Sequence, residues 1–113
     1  MSYYLKKKTV PVEESQKLKE QATEKVMSRI EAELKRAQAK YPDHPSLEHS
    51  LCVIIEEVDE LKREVFLRGE YRRPHRIWEE AVQLAAMSIR LLVEMESRRT
   101  CTNEHTKKVR DFG

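Results

Sequence analysis

Apolar side chains recur along this chain at steps of three and four residues, in three stretches separated by prolines. The stretches run from about residue 13 to 41, from 47 to 68 and from 75 to 99. Steps of this size place the apolar side chains on one face of an α-helix. The chain has only 2 glycines, so it carries little of the turn chemistry of β-hairpins. The pattern predicts an all-α fold, an antiparallel bundle of three main helices.

Capping residues and one unusually apolar segment refine this prediction. Ser46 is a good N-cap for the second helix, and Gly69 fits the position that follows many helix C-termini. Between residues 81 and 92 the third helix is apolar on nearly every face, so it must be covered all round. Two partner helices from one chain leave part of that surface bare. We therefore expect a homo-oligomer, a dimer or a tetramer, to complete the bundle.

The bulk composition narrows the class of protein. With 113 residues, 39% of them hydrophobic, the chain suits a single domain over 1–113 with a thin core. We expect residues 1–12 and 100–113 to be loosely ordered.

A net charge of +2 gives no reason to expect binding to nucleic acid or a membrane. The first eight residues lack the apolar run of a signal peptide and no stretch is long enough for a membrane span, so we expect a cytoplasmic protein.

Two cysteines, Cys52 and Cys101, do not amount to a disulfide framework, and the apolar neighbours of Cys52 predict that it is a core residue. The histidine and cysteine spacings do not match a zinc site. The basic run from Arg72 to Arg76 could contact phosphate groups. It has no aromatic platform beyond Tyr71, so we expect no nucleic-acid partner.

A cluster of glutamates is the most informative feature of the sequence. Glu57 and Glu60 are three residues apart and share a helix face, and Glu56 is four residues from Glu60. Like charges at this spacing repel one another, and a bound divalent cation would convert the repulsion into coordination. On the third helix Glu80 and Gln83 share a face that antiparallel packing would bring opposite Glu57 and Glu60. The alternative is that these side chains form a solvated surface.

The run Glu56-Glu57-x-x-Glu60, followed about twenty residues later by Glu80-x-x-Gln83, resembles the EExxE and ExxD motifs of the MazG-like all-α nucleoside triphosphate pyrophosphohydrolases. The likeness covers about residues 30–95, and it includes the sequences at 40–42 and 85–87. The resemblance implies a Mg²⁺-dependent enzyme, with Mn²⁺ as an alternative ion. Such an enzyme cleaves a (deoxy)nucleoside triphosphate to the monophosphate and pyrophosphate.

Carried over by position, the resemblance makes Glu57, Glu60, Glu80 and Gln83 metal ligands and gives Glu56 a catalytic part in orienting or deprotonating water. Gln83 departs from the family's Asp, and its neutral oxygen is a weaker ligand for Mg²⁺. Either another acid such as Glu79 or Asp59 compensates, or the chain is a catalytically weak or inactive nucleotide-binding or assembly module.

Basic residues should neutralise the triphosphate of such a substrate. The candidates are Lys62, Arg63, Arg76 and Arg90, and the sequence does not choose among them. Arg90 is a charge inside an apolar helix, and the alternative is that it pairs with a core carboxylate such as Glu94.

Overall fold

The computed structural model describes residues 11–106, with side chains described over residues 11–100. This part of the chain forms three α-helices and no strand: α1 (Val12–Lys40), α2 (Leu47–Val65) and α3 (Pro74–Thr106). A single 3-10 turn, Gly69–Tyr71, lies between α2 and α3. The prediction of an all-α fold is confirmed. The loosely ordered ends predicted at 1–12 and 100–113 fall largely outside the described residues.

The helix ends agree with the sequence-based prediction at some points and differ at others. The Ser46 hydroxyl accepts a hydrogen bond from the backbone N–H of His49 at 3.1 Å, which confirms it as the N-cap of α2. The prediction for Gly69 is wrong, because α2 ends at Val65 and Gly69 instead begins the 3-10 turn. At its other end α3 continues to Thr106, beyond the expected end at residue 99.

Helix α3 is the central element, and α1 packs along it in the same direction. Arg29 of α1 contacts Glu79 near the start of α3 at 2.8 Å. At the far end of α1, the carbonyl oxygen of Tyr41 lies 3.5 Å from the guanidinium of Arg90. Residue numbers therefore rise together along the two helices, which run parallel.

Helix α2 packs on α3 in the opposite direction. Glu60, in the second half of α2, approaches Glu80 near the start of α3. Val53, about two turns earlier in α2, lies beside the same cavity as Met87 further along α3. The antiparallel pairing of α2 and α3 brings the two halves of the predicted glutamate motif to the same level.

The hydrophobic core is thin, as the composition predicts. It contains one aliphatic side chain and one alanine from α1 and three apolar residues from α3: Ile30, Ala37, Val82, Ala86 and Met87. Partly buried residues of all three helices, Trp78 among them, pack around this core. Cys52 is exposed, so its prediction as a core residue is wrong: its neighbours Val53 and Ile54 are the residues of α2 that pack against the core.

One side of α2 leaves an apolar stripe uncovered. Leu51, Ile55 and Val58 are 54%, 49% and 42% exposed, and they follow one another at helical spacing. Aliphatic side chains in a row of this kind usually mark a surface that another molecule covers. Within residues 11–106, no helix is both long and apolar enough to cross a membrane.

Candidate functional site

Three carboxylates from two helices meet between α2 and α3. Glu57 and Glu60 project from one face of α2, because they are three residues apart, and Glu80 of α3 faces them. One oxygen from each of the three lies within 4.8 Å of the other two. The structure therefore brings together three of the four residues that the sequence suggested as metal ligands. We call them the glutamate cluster.

The glutamate cluster contains buried oxygen atoms that have no partner. Glu80 is only 8% exposed, yet its Oε2 makes no hydrogen bond within the described part of the chain. The Oε2 of Glu57 is buried and unpartnered in the same way. An unsatisfied buried polar atom costs about 1 to 3 kcal/mol, and more when it carries charge. Two such atoms in one cluster need a ligand, a proton or a cation.

Burial and mutual repulsion change the acidity of the glutamate cluster. Burial, followed by the charges of Glu60, Glu80, Glu56 and Glu33, raises the pKa of Glu57 to about 7. Burial and the contact with Glu60 also raise the pKa of Glu80, against an opposing effect of Arg76. Both shifts favour the neutral acids, so the cluster is unfavourable as three bare anions.

The basic residues near the glutamate cluster neutralise its negative charge only in part. The Arg76 guanidinium lies 3.4 Å from Oε1 of Glu80 and leaves the other oxygen of that carboxylate free. Arg73 pairs with Glu64 at 2.5 Å, one helical turn beyond Glu60. The remaining donor set is made of carboxylate oxygens alone. It fits a hard cation such as Mg²⁺ or Mn²⁺ and does not fit a soft metal.

A cavity of about 530 Å³ opens next to the glutamate cluster. Its wall includes Glu57 itself, so the cluster and the cavity are continuous. The remaining wall comes from α1, the α1–α2 connection, α2 and α3: Arg36, Ala37, Tyr41, Pro42, Asp43, His44, Pro45, His49, Val53, Glu56, Gln83, Met87 and Arg90. Volumes of this size are typical of small-molecule sites.

The other predicted site residues lie outside the glutamate cluster, some of them beside the cavity and some on the surface. Glu56 and Gln83 face the cavity beside Glu57, and Gln83 is partly buried. Lys62 is exposed on α2. Neither of the two acids that could compensate for Gln83 belongs to the glutamate cluster: Glu79 pairs with Arg29 of α1 at 2.8 Å, and Asp59 is exposed on α2.

Arg90 is buried and is engaged by the protein itself. It is 3% exposed, its Nε donates to Glu94 at 2.9 Å, and its Nη2 donates to the carbonyl of Pro42 at 2.6 Å. Glu94 in turn accepts a hydrogen bond from the backbone N–H of His44 at 3.2 Å, and Arg98 donates to the His44 carbonyl. The pairing with Glu94 is the alternative that the sequence left open. Together these contacts fasten the α1–α2 connection to α3.

His44 completes this buried network on the cavity wall. Its Nδ1 lies 2.8 Å from the hydroxyl of Ser50. Burial, and then the positive charge of Arg90, lower the pKa of His44, while Glu94 opposes them. The imidazole is therefore neutral at pH 7 and can accept or donate one hydrogen bond on each side.

Glu33 of α1 is a site residue that the sequence analysis missed. It is 2% exposed, and Arg36 and Arg29 contact it at 2.5 Å and 3.5 Å. The hydrogen bond from Arg36 is the main reason that the pKa of Glu33 is lowered. A signal was present, because Glu33 occupies the apolar face of α1 between Ile30 and Ala37. An acid at such a position needs a buried partner.

Comparison of the chain with protein-family models, with curated proteins and with solved structures found no match.

Proposed function

We propose that this chain is a Mg²⁺- or Mn²⁺-dependent nucleotide pyrophosphohydrolase, which cleaves a (deoxy)nucleoside triphosphate to the monophosphate and pyrophosphate. The observation that carries the proposal is the pair of buried, unpartnered oxygens of Glu57 and Glu80 within the glutamate cluster, beside a cavity of nucleotide size. The resemblance of the glutamate motifs to the MazG-like enzymes supports the same conclusion.

In this proposal Glu57, Glu60 and Glu80 hold the cation. When bound, the ion supplies positive charge to the phosphate oxygens and acidifies a coordinated water molecule. Glu56 is exposed at the cavity wall next to Glu57, outside the cluster, and it is therefore open to receive a proton. We assign it the role of orienting and deprotonating the attacking water at the α-phosphorus.

The positively charged side chains that would bind the triphosphate lie on the side of the glutamate cluster away from the cavity. The Arg76 and Arg73 side chains are 47% and 53% exposed, and Arg76 reaches the cluster through Glu80. Lys62 is exposed on the last turn of α2. Arg90 is committed to Glu94 and Pro42, so we assign it to supporting the cavity wall and not to binding phosphate.

A second candidate function is a nucleotide-binding or assembly module without turnover. The residue that favours it is Gln83, which gives this site one negative charge fewer than the motif it resembles. A module of this kind would keep the cation and the nucleotide and would lack hydrolysis.

Pyrophosphate release from a panel of nucleoside triphosphates with Mg²⁺ tests the first function. We expect turnover by the wild type and a loss of about 100-fold or more in Glu80→Gln, which removes one ligand charge. Glu79→Gln is the matched control, because this adjacent glutamate pairs with Arg29 outside the cluster. Its activity should stay within a few-fold of the wild type.

The outcomes separate the two functions. A folded wild type that releases no pyrophosphate from any triphosphate refutes the enzyme. If that protein still binds Mn²⁺, measured by electron paramagnetic resonance, and Glu80→Gln does not, the binding module stands. Equal Mn²⁺ binding by the wild type and Glu80→Gln would refute the cation site itself.

We also propose that a second copy of the chain covers the apolar stripe Leu51, Ile55 and Val58. The support is that the core is thin and that these three side chains stay at least two-fifths exposed in a single chain. Since α2 also supplies Glu57 and Glu60, the interface would lie on the back of the helix that carries the site.

A further inference from the structure

Three features follow one another along the groove between α2 and α3: two arginines, the glutamate cluster and the cavity. The exposed arginines Arg73 and Arg76 stand at the α2–α3 connection. The glutamate cluster follows, and beyond it the cavity opens between Val53 and Met87. A nucleotide that places its phosphates at the cluster can extend in only two directions along this groove, toward the arginines or into the cavity.

The charges in the cavity wall exclude it as the place for phosphate. Arg36 is already paired with Glu33, and Arg90 is paired with Glu94. Three acids also line the wall: Asp43, Glu56 and Glu57. Among the described residues of the wall, each arginine is balanced by a buried glutamate and three further acids remain, so a phosphate chain here would meet a net negative charge. A neutral polar group, in contrast, would meet apolar side chains and hydrogen-bonding groups together.

Gln83 is the hydrogen-bonding group best placed in that cavity. It is partly buried on an apolar segment of α3, between Glu80 and Met87, and its amide makes no hydrogen bond to any group that the structure describes. A partly buried amide without a partner is unfavourable unless a ligand or water supplies one. A primary amide presents a donor and an acceptor side by side, which matches the edge of a nucleobase.

We infer that the cavity binds the nucleoside part of the substrate, with the Gln83 amide hydrogen-bonded to the base. This inference rests on the proposed function for the identity of the ligand. It gives Gln83 a role in substrate recognition in place of metal coordination. It also orients the nucleotide, with the base toward the α1–α2 connection and the β- and γ-phosphates toward Arg73 and Arg76.

Binding of nucleoside monophosphates without a cation tests the inference, because no hydrolysis is involved. The wild type, Gln83→Leu and Gln21→Leu are titrated by calorimetry in EDTA with the four deoxynucleoside monophosphates. Gln21 is exposed on α1, far from the cavity, and provides the same substitution as a control. We expect Gln83→Leu to weaken binding of the preferred monophosphate about tenfold, the effect of losing one partly buried hydrogen bond.

Mn²⁺ affinity, measured on the same three proteins, separates a base contact from a metal ligand. We expect Gln83→Leu to bind Mn²⁺ within twofold of the wild type. A fall in Mn²⁺ affinity with unchanged monophosphate binding would make Gln83 a ligand and overturn the inference. So would a wild type that binds no monophosphate, or one whose binding Gln83→Leu leaves unaltered. Monophosphate binding that depends on Gln83, in a protein without turnover, would support the inference while refuting the enzyme.

Discussion

The glutamate cluster should make the cation-free protein less stable as the pH rises, and Glu57→Gln should remove the part of that dependence that comes from Glu57. The pKa of Glu57 is about 7 in the folded protein, against an ordinary value of 4.5. Below pH 4.5 the acid is protonated in both the folded and the unfolded chain, and it has no effect on stability. Between pH 4.5 and 7 the unfolded chain loses its proton first, so the free energy of unfolding falls. Above pH 7 the full destabilisation remains.

The size of the effect follows from the same two values. A pKa difference of about 2.5, at about 1.4 kcal/mol for each unit, corresponds to about 3 kcal/mol. One side of Glu57 faces the open cavity, where water screens the charge, so we expect about 2 to 3 kcal/mol. This is a large part of the stability of a small domain with a thin core.

Urea unfolding in EDTA between pH 4.5 and 8 measures this quantity, with the fluorescence of the single tryptophan, Trp78, as the signal. Glu57→Gln should be more stable than the wild type by about 2 to 3 kcal/mol at pH 8, and by much less at pH 4.5. Glu20→Gln, at an exposed position on α1, is the control and should follow the wild type. A stability difference between wild type and Glu57→Gln that does not change with pH would refute the reasoning.

Two further predictions concern the core and the surface. Arg90→Met should lower the free energy of unfolding by about 3 kcal/mol, because it leaves the buried carboxylate of Glu94 short of its main partner, and the double variant with Glu94→Gln should recover part of the loss. Equal stability of Arg90→Met and the wild type in urea unfolding would contradict this. Ile55→Glu should convert the proposed oligomer to monomer in sedimentation experiments, whereas Ala39→Glu, at an exposed position on α1, should not. A wild type that is monomeric at all concentrations would refute the second copy.

The helices could be predicted from the sequence because each is long, amphipathic and bounded by proline or a capping residue. Ser46 caps α2 through a hydrogen bond to a residue only three positions away, so the neighbouring sequence was sufficient to predict it. Gly69, in contrast, lies beyond the end of α2 and begins the 3-10 turn. The chain leaves α2 at Val65 in order to turn back toward α3, and Gly69 does not take the left-handed conformation that favours glycine after a helix. The spacing of apolar residues within α2 does not show at which residue the chain must leave the helix to reach α3.

The meeting of Glu57, Glu60 and Glu80 could be predicted, because it needs only helical spacing and one antiparallel contact. The place of Glu33 on the apolar face of α1 was visible in the sequence, but how deeply it is buried depends on how α1 lies against the other two helices. The partners of Arg90 could likewise be predicted only in part. Its sequence neighbour Glu94 was a candidate, but the carbonyl of Pro42 is 48 residues away and becomes a partner only in the folded chain.

The attachment of the α1–α2 connection to α3 has a consequence for ligand affinity. Connections between helices commonly have to be ordered when a ligand binds, and that ordering weakens binding. Here the backbone of Pro42 and His44 is already fixed by Arg90, Glu94 and Arg98. A small molecule that enters the cavity therefore meets a rigid, preorganised wall, and little of its binding free energy is lost in immobilising the protein.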